Sequence, residues 1–246
     1  MKRLINSILA PLNLEIRRKK NASNLAGQGS TMLGGLRRFS NLGINVNSVI
    51  DVGAAAGTWS KKASSVWPGA EYLLLEPLVE RKAELESIAA ERRNFHYSQV
   101  AAGKEPGIVK FLISEDLDGS GVATSHTSPD RIREVTVSTI PDEIKRHGLK
   151  GPFLIKLDTH GFEVPILEGC VGMLADIQLF VIEVYGFQIA DNSLLFWEMC
   201  SYMDKLGFRL LDIVDVMNRP KDGAFWQCDA FFVPNTNLVY KYSSYQ

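Results

Sequence analysis

The stretch that decides the fold reads Ser48-Val-Ile-Asp51-Val-Gly53-Ala-Ala-Ala-Gly57-Thr58-Trp59. It begins as a short apolar β-rich run that ends at Val52, and it continues as a loop of glycine and alanine that leads into a helical pattern. Gly53 lets the chain turn and lets a ligand approach the backbone, while Gly57 permits close passage into the helix. Small side chains such as Ala54 leave room for that ligand. The stretch therefore predicts a ligand site at the carboxyl end of the first strand, where open α/β sheets bind cofactors.

The spacing of the two glycines narrows the choice of ligand. A dinucleotide-binding loop carries GxGxxG and a phosphate-binding loop ends in GK[ST], whereas this chain has GxxxG with Asp51 two residues before it. A pyrophosphate favours neutral or positive surroundings. S-adenosylmethionine has no phosphate and carries a cationic amino group and a sulfonium, so an acid beside the loop favours it. A nicotinamide-dependent oxidoreductase of Rossmann type and a non-catalytic S-adenosylmethionine-binding module are the alternatives.

A second acid supports a nucleoside ligand. The second predicted strand ends in Glu76-Pro77, where a carboxylate can accept hydrogen bonds from both ribose hydroxyls. Val100 and Ala101 close the third predicted strand, and they either flank an adenine ring or are ordinary strand residues. The predicted cofactor-binding residues are Asp51, Gly53, Ala54, Gly57, Thr58, Glu76, Pro77, Val100 and Ala101.

The order of the patterns predicts an α/β fold. With 246 residues, 46% of them hydrophobic, the chain can bury one sizeable core. Strand patterns alternate with helical ones, which is typical of a mostly parallel sheet with helices on both faces. Seven strands are predicted, at 48–52, 71–76, 95–100, 153–158, 179–184, 208–213 and 230–233. An extra strand pair, 109–114 and 134–137, forms an insertion at about 105–138 within the domain 46–246, and 115–133 reads as a mobile loop beside the site.

The densest group of ionisable residues lies in Phe153-Leu-Ile-Lys156-Leu-Asp158-Thr-His160-Gly161-Phe-Glu163. A buried strand delivers Lys156 and Asp158 to its end, at the ligand-binding edge of the predicted sheet. The next strand ends at another acid, Glu183. Because the carboxyl ends of parallel strands meet at one edge, we expect Asp158 and Glu183 to lie close together. If S-adenosylmethionine is the ligand, they would lie near its methyl group.

Five motifs together resemble the FkbM-type methyltransferases. They are Asp51-x-Gly-x-x-x-Gly57, Glu76-Pro77, Val137-x-Thr139-Ile140-Pro-Asp-Glu-Ile, Lys156-x-Asp158-x-x-Gly161-x-Glu163 and Ile182-Glu183. The resemblance runs from about residue 45 to 185. It implies a Rossmann-like class I methyltransferase fold and O-methylation of a hydroxyl on a sugar, a glycan or a natural product. One departure is that Ile140-Pro141-Asp142 replaces the usual Leu-Asp, which moves the acid one place later.

Three residues are predicted to be catalytic, namely Asp158, His160 and Glu183. A hydroxyl is a poor nucleophile, so a base or a metal should assist its attack. His160 is a candidate base because imidazole titrates near neutrality; otherwise it faces solvent or caps the following helix, and the family often has Glu or Gln at this place. Asp158 and Glu183 are the alternative, as oxygen ligands of Mg²⁺. Lys156 is expected to pair with an acid, and Glu163 either caps its helix or binds substrate.

Charge and cysteine usage bear on partners and location. The net charge is −1, which predicts no nucleic-acid partner, although residues 1–40 carry eight basic residues against one acid. We therefore predict a basic helical extension at 1–45, which covers the domain, contacts an anionic membrane surface peripherally or serves a homodimer. Its sequence does not fit a secretory signal. Cys170, Cys200 and Cys228 are read as reduced core residues, which predicts a cytoplasmic location, and the expected partner is a small-molecule or glycan acceptor.

Overall fold

The computed structural model describes residues 29–124 and 129–244. Most of the predicted N-terminal extension, residues 1–28, lies outside the described residues, and so do residues 125–128 of the predicted mobile loop. The boundary at residue 45, the loop's mobility and the membrane contact therefore stay predictions. Among the described residues, no helix combines the length and the apolar composition that crossing a membrane requires.

The described chain alternates strands with helices. The strands are β1 (Ser48–Val52), β2 (Glu71–Leu75), β3 (Phe95–Ser98), β4 (Ala101–Ala102), β5 (Gly107–Leu112), β6 (Gly121–Val122), β7 (Ile132–Ser138), β8 (Phe153–Leu157), β9 (Ile177–Tyr185), β10 (Phe208–Asn218) and β11 (Phe225–Pro234). The α-helices are α1 (Met32–Asn41), α2 (Thr58–Ala63), α3 (Lys82–Glu91), α4 (Ile140–His147), α5 (Glu163–Gly169) and α6 (Phe196–Lys205). Short 3-10 turns lie at Val79–Arg81, Pro129–Arg131, Val171–Asp176 and Leu238–Lys241.

The main sheet has seven strands in the order β10-β11-β9-β8-β1-β2-β3. Neighbours from β9 through β8, β1 and β2 to β3 pair in parallel. The strand β11 is antiparallel to both of its neighbours, β9 and β10. The predicted α/β class with a seven-stranded, mostly parallel sheet is thus confirmed. Because Leu157 pairs with Ile182, the residues that follow them, Asp158 and Glu183, come to the same edge.

The core lies on both faces of this sheet. In β1, Ile50 and Val52 face one apolar cluster and Val49 faces the other, because successive strand residues point to opposite faces. The first cluster includes side chains from α4, α5 and α6, and the second includes side chains from α1, α2 and α3. Burial on both faces explains why the parallel strands read as continuous apolar runs.

A second, smaller sheet explains where the prediction of the third strand was wrong. The strand β3 ends at Ser98 instead of reaching Val100, and the chain then forms β4, which pairs in parallel with β7. The four-stranded order is β4-β7-β5-β6. Its β5 and β7 correspond to the extra strand pair predicted at 109–114 and 134–137, and they pair antiparallel. Its apolar side chains, among them Phe111 and Val137, pack with Leu78 into a third cluster. Val100 therefore lies in the link between the two sheets, and Ala101 lies in β4 of the smaller sheet.

Candidate active site

A pocket of about 450 Å³ opens at the carboxyl ends of β1, β2 and β8, beneath the smaller sheet. Most of the predicted site residues border it. They are Gly53, Ala54, Thr58, Glu76, Pro77, Val100, Ala101, Asp158, His160 and Glu183. Asp51 and Gly57 do not border it. The pocket is also bordered by Trp59, Arg81 and Lys156, and, from the smaller sheet and its loop, by Phe111 and Ser120.

The glycine loop is held by backbone contacts. The N–H groups of Gly53 and Ala54 donate to the carbonyl of Leu75 at 3.0 and 3.2 Å. Gly53 has φ +74°, and a Cβ added there would lie 2.0 Å from the carbonyl oxygen of Asp158. The sequence predicted that Gly53 allows a ligand to approach the backbone. The structure adds a second reason, which is the close passage of the β8 chain end.

Glu76 is fixed by two backbone donors. One carboxylate oxygen accepts from the N–H of Ala55 at 2.9 Å, and the other accepts from the N–H of Leu78 at 2.9 Å. The side chain is almost completely buried. Burial raises the pKa of Glu76, and the two backbone hydrogen bonds counteract that rise. A carboxylate oriented in this way can still accept from ribose hydroxyls through its remaining lone pairs.

Asp51 and Gly57, both predicted to bind the cofactor, lie behind the pocket wall. Asp51 is fully buried, and its Oδ2 accepts from the Ser60 hydroxyl at 2.7 Å. Burial raises the pKa of Asp51, and the Lys156 ammonium opposes the rise. Gly57, at φ +69°, passes so close to α3 that a Cβ would lie 2.6 Å from the Ile88 side chain. The structure therefore gives both residues a supporting position behind the loop.

Lys156 and Asp158 form a largely buried ion pair. The Lys156 Nζ lies 2.8 Å from Asp158 Oδ2 and 3.7 Å from Asp51 Oδ1. Burial opposes the charge on Lys156, but the two carboxylates raise its pKa above the usual range. Burial would likewise raise the pKa of Asp158, yet the Lys156 ammonium holds it below its usual value. At neutral pH this pair is a lysine cation beside an aspartate anion, as the sequence predicted for Lys156.

Glu183 lies next to this pair in a different protonation state. The Tyr185 hydroxyl and the Gln227 side-chain amide both donate to its carboxyl group. Burial, reinforced by the nearby Asp158 charge, raises the pKa of Glu183 to about 8. At pH 7 the two neighbouring carboxyl groups therefore share one negative charge and one proton.

His160 has its tautomer fixed by the loop above it. Its Nδ1 lies 3.0 Å from the carbonyl oxygen of Ser120. A carbonyl can only accept, so in the neutral ring Nδ1 carries the hydrogen and Nε2 has the free lone pair. Nε2 lies 3.7 Å from Asp158 Oδ1 and 3.8 Å from Glu183 Oε2. His160 has φ +53°, which is uncommon for residues other than glycine. This left-handed backbone conformation accompanies the placement of the imidazole ring at the pocket.

The predicted metal-binding residues also meet here. One ligand atom from each of Asp158, His160 and Glu183 lies within 4.8 Å of the others. Mg²⁺ prefers several charged oxygen ligands. Without an ion, the Lys156 ammonium neutralises Asp158, and burial keeps a proton on Glu183 at neutral pH. A divalent cation would have to displace that proton, and its binding here stays a prediction.

The family of the chain follows once this geometry is set beside known proteins. The family described as "Methyltransferase FkbM domain" matches residues 51–210, which include the glycine loop, Glu76 and the three clustered ionisable residues. The chain belongs to the FkbM methyltransferase family. With its seven-stranded sheet it has the Rossmann-like class I fold, as predicted, and it is an S-adenosylmethionine-dependent methyltransferase.

Solved structures that resemble this FkbM methyltransferase are distant in sequence. One is a fibrillarin pre-rRNA processing protein of Methanococcus jannaschii, with 14% identity over 78% of this chain and 67% of that chain and a TM-score of 0.49. Another is the 1,6-didemethyltoxoflavin-N1-methyltransferase of Burkholderia thailandensis, solved with 1,6-didemethyltoxoflavin and S-adenosylhomocysteine, with 12% identity over 87% and 80% and a TM-score of 0.45. Similarity at this level says nothing about the acceptor. No curated protein matches the chain.

Four residues of the FkbM methyltransferase site were not predicted to act there. Tyr185 lies two residues after Glu183 on β9, so its spacing is a local signal. Gln227 reaches Glu183 from β11, and the register that joins these strands leaves no local sequence signal. Ser120 contributes only a backbone carbonyl, which any residue type could supply. Arg81 follows Glu76 by one 3-10 turn and pairs with Asp118 across the pocket, and its spacing from Glu76 is the one available signal.

Proposed function

We propose that the enzyme methylates a hydroxyl group of a sugar, a glycan or another natural product, with His160 as the general base. The observation that carries this proposal is the hydrogen bond from His160 Nδ1 to the Ser120 carbonyl at 3.0 Å. In the neutral ring it leaves the free lone pair on Nε2, beside Asp158 and Glu183. A hydroxyl needs such a base, because its oxygen becomes a good nucleophile only as its proton leaves.

The reaction is an in-line displacement at the sulfonium methyl group. The acceptor oxygen forms a bond to the methyl carbon as the carbon–sulfur bond breaks, and the electron pair of that bond remains on sulfur. His160 Nε2 takes the hydroxyl proton. The products are a methyl ether, S-adenosylhomocysteine and an imidazolium that returns its proton to solvent. Much of the rate gain comes from holding the oxygen in line with the breaking bond.

The two carboxyl groups have different parts in this scheme. Asp158 is ionised, so it stabilises the imidazolium that forms 3.7 Å away on His160. Glu183 is protonated at neutral pH because its pKa is raised to about 8 by burial, and it can donate a hydrogen bond to an acceptor oxygen. The sheet edge thus carries a base, an anion and a neutral acid.

The variant His160→Gln tests the base. General-base catalysis contributes about 10² to 10⁴ in rate, so kcat should fall by that factor while S-adenosylhomocysteine binds with unchanged affinity. Turnover is followed with radiolabelled S-adenosylmethionine and a panel of methyl pyranosides and small phenols. The matched control is His96→Gln, since His96 pairs with Glu71 away from the pocket. Turnover at the wild-type rate by His160→Gln would contradict the role of His160 as general base.

Two further outcomes separate the other readings of the site. If EDTA abolishes turnover and Mg²⁺ restores it, the cluster of Asp158, His160 and Glu183 acts as a metal site instead. If the wild type binds S-adenosylhomocysteine but methylates no member of the panel or of a wider acceptor library, the non-catalytic binding module is favoured.

Partners and location are part of the same proposal. The near-neutral net charge supports a small-molecule or glycan acceptor over nucleic acid. Peripheral contact of the basic extension 1–45 with anionic membranes, a homodimer and a cytoplasmic location are proposed on the sequence alone.

A further inference from the structure

A loop of the smaller sheet borders the pocket and ends at His160. The loop, residues 114–120 and here called the strap, lies between β5 and β6. Its Leu117, Asp118 and Ser120 border the pocket. At the end of the strap, His160 Nδ1 donates to the Ser120 carbonyl at 3.0 Å. The strap is therefore in direct contact with the side chain that is proposed as the general base.

The strap is also anchored to the turn that follows Glu76. The Asp118 carboxylate pairs with the guanidinium of Arg81, whose side chain is only 14% exposed. The Arg81 N–H donates to the Leu78 carbonyl at 3.1 Å, and the Leu78 N–H donates to the Glu76 carboxylate at 2.9 Å. The pair of Asp118 with Arg81 thus fixes the strap to the segment that positions Glu76.

Hydrogen bonds inside the strap join this anchor to Ser120. Asp116 Oδ1 accepts from the Gly119 N–H at 3.2 Å, and the Ser120 N–H donates to the Leu117 carbonyl at 3.2 Å. Asp118 lies within both of these turns. A displacement of Asp118 from its partner therefore moves the Ser120 carbonyl as well.

Two acceptors compete for the single ring hydrogen of neutral His160. The Ser120 carbonyl lies 3.0 Å from Nδ1, and the ionised Asp158 carboxylate lies 3.7 Å from Nε2. The hydrogen bond at one ring nitrogen decides which nitrogen carries the hydrogen. With the carbonyl in place the hydrogen is on Nδ1, and Nε2 can accept the proton of a hydroxyl. Without the carbonyl, the carboxylate draws the hydrogen to Nε2, which then has no lone pair to offer the substrate hydroxyl.

We propose that Asp118 is a positioning residue for the methyl transfer, because its ion pair with Arg81 holds the strap where the Ser120 carbonyl keeps the hydrogen of His160 on Nδ1. Asp118 does not contact the reacting atoms, and it acts only through this carbonyl. The inference rests on the proposed function, since the tautomer matters for turnover only if His160 is the base.

The variant Asp118→Lys tests this proposal, because it places a second cation beside the Arg81 guanidinium. The Asp118 side chain is 73% exposed, so its replacement leaves the apolar core intact. The matched control is Asp222→Lys, which reverses one charge of the exposed Arg219–Asp222 pair between β10 and β11.

The tautomer is read from the ¹⁵N chemical shifts of the two ring nitrogens of His160. The full chain is labelled with ¹⁵N-histidine and saturated with S-adenosylhomocysteine, and spectra are recorded at about pH 9, where imidazole groups are neutral. The signals that are missing from the spectrum of His160→Gln identify His160. The kcat of each variant is measured separately with saturating S-adenosylmethionine.

The wild type and Asp222→Lys should both hold the hydrogen on Nδ1 of His160. In Asp118→Lys, the fraction of this tautomer should fall by about twofold to fivefold, the range that a surface ion pair can supply, and kcat should fall by the same factor. Asp118→Glu, which keeps the carboxylate on a longer side chain, should recover most of both losses. An unchanged tautomer in Asp118→Lys would overturn the proposal, whatever its turnover, and so would a wild type with the hydrogen on Nε2.

The positioning role and the general base fail separately in these experiments. If the tautomer shifts in Asp118→Lys but His160→Gln keeps the wild-type turnover, the strap sets the tautomer and His160 is not the base. If His160→Gln loses turnover while the tautomer of Asp118→Lys is unchanged, the base is retained and the role of Asp118 is wrong.

Discussion

The two ends of the pocket are built in different ways. The nucleoside end holds Glu76 and is proposed to take the ribose of the cofactor, and the reacting end holds Asp158, His160 and Glu183. At the nucleoside end, backbone N–H groups fix the loop and Glu76, and a missing Cβ at Gly53 lets two chain segments touch. At the reacting end, side chains from three strands and a loop meet, and the pKa values of Asp158 and Glu183 move in opposite directions. The first end is part of the fold itself. The second depends on the protonation of its side chains.

The largest effect is expected from Gly53→Ala at the nucleoside end. The new Cβ would lie 2.0 Å from the Asp158 carbonyl oxygen, so one of the two segments must move. The free energy of unfolding should fall by at least about 3 kcal/mol, measured by urea denaturation. Gly43→Ala is the control, because Gly43 has φ +75° with nothing within 4 Å of its Cβ position. Gly43→Ala should lower the free energy of unfolding by about 1–2 kcal/mol, for the left-handed backbone alone. Equal losses in both variants would contradict the role of the close contact between Gly53 and Asp158.

The next effect is expected from Glu76→Gln. The carboxylate accepts from Ala55 and Leu78, whereas an amide offers one accepting oxygen and must turn its NH₂ toward one of these N–H groups. S-adenosylhomocysteine should bind about tenfold to a hundredfold more weakly by calorimetry. Glu80→Gln, which removes a charge paired with Arg133 at the surface, should leave the dissociation constant unchanged. An unchanged dissociation constant for Glu76→Gln would contradict the assignment of Glu76 to the ribose hydroxyls.

A smaller effect, confined to the reacting end, is expected from Glu183→Gln. Burial first, and then the Asp158 charge, raise the pKa of Glu183 from 4.5 to about 8. Between these values the folded chain holds a proton that the unfolded chain has released, so stability falls as the pH rises from about 5 to 8. The variant lacks this proton equilibrium, so its stability relative to the wild type should rise by about 1 kcal/mol for each pH unit between about 5 and 8. Urea unfolding at four pH values measures the difference, and parallel profiles would contradict the shifted pKa.

The nucleoside end was largely predictable because its signals are local. The apolar run of β1, the GxxxG loop and the acid after β2 each lie within a few consecutive residues, and the structure places them as strand, turn and buried carboxylate. These local signals did not predict which residues border the pocket and which lie behind its wall. Asp51 was expected at the ligand but lies behind the pocket wall, where its carboxylate accepts a hydrogen bond from Ser60 and pairs with the Lys156 ammonium.

The reacting end was predictable in its residues but not in its geometry. Asp158 and Glu183 follow from parallel strands ending at one edge. The contact of Gln227 with Glu183 depends on the β9–β11 register, and the tautomer of His160 depends on a carbonyl 40 residues earlier in the chain. The end of β3 was misplaced for a similar reason, since the pairing of β4 with β7 competes with the continuation of β3 past Ser98. Contacts between distant segments decide all three.

The position of S-adenosylhomocysteine in a crystal structure of the complex tests the central claim most directly. We predict that its ribose hydroxyls lie within hydrogen-bonding distance of Glu76, with the adenine beside Val100 and Ala101. We further predict that its sulfur faces the cluster of Asp158, His160 and Glu183. A ligand bound outside this pocket, or bound with its sulfur directed away from that cluster, would contradict the account.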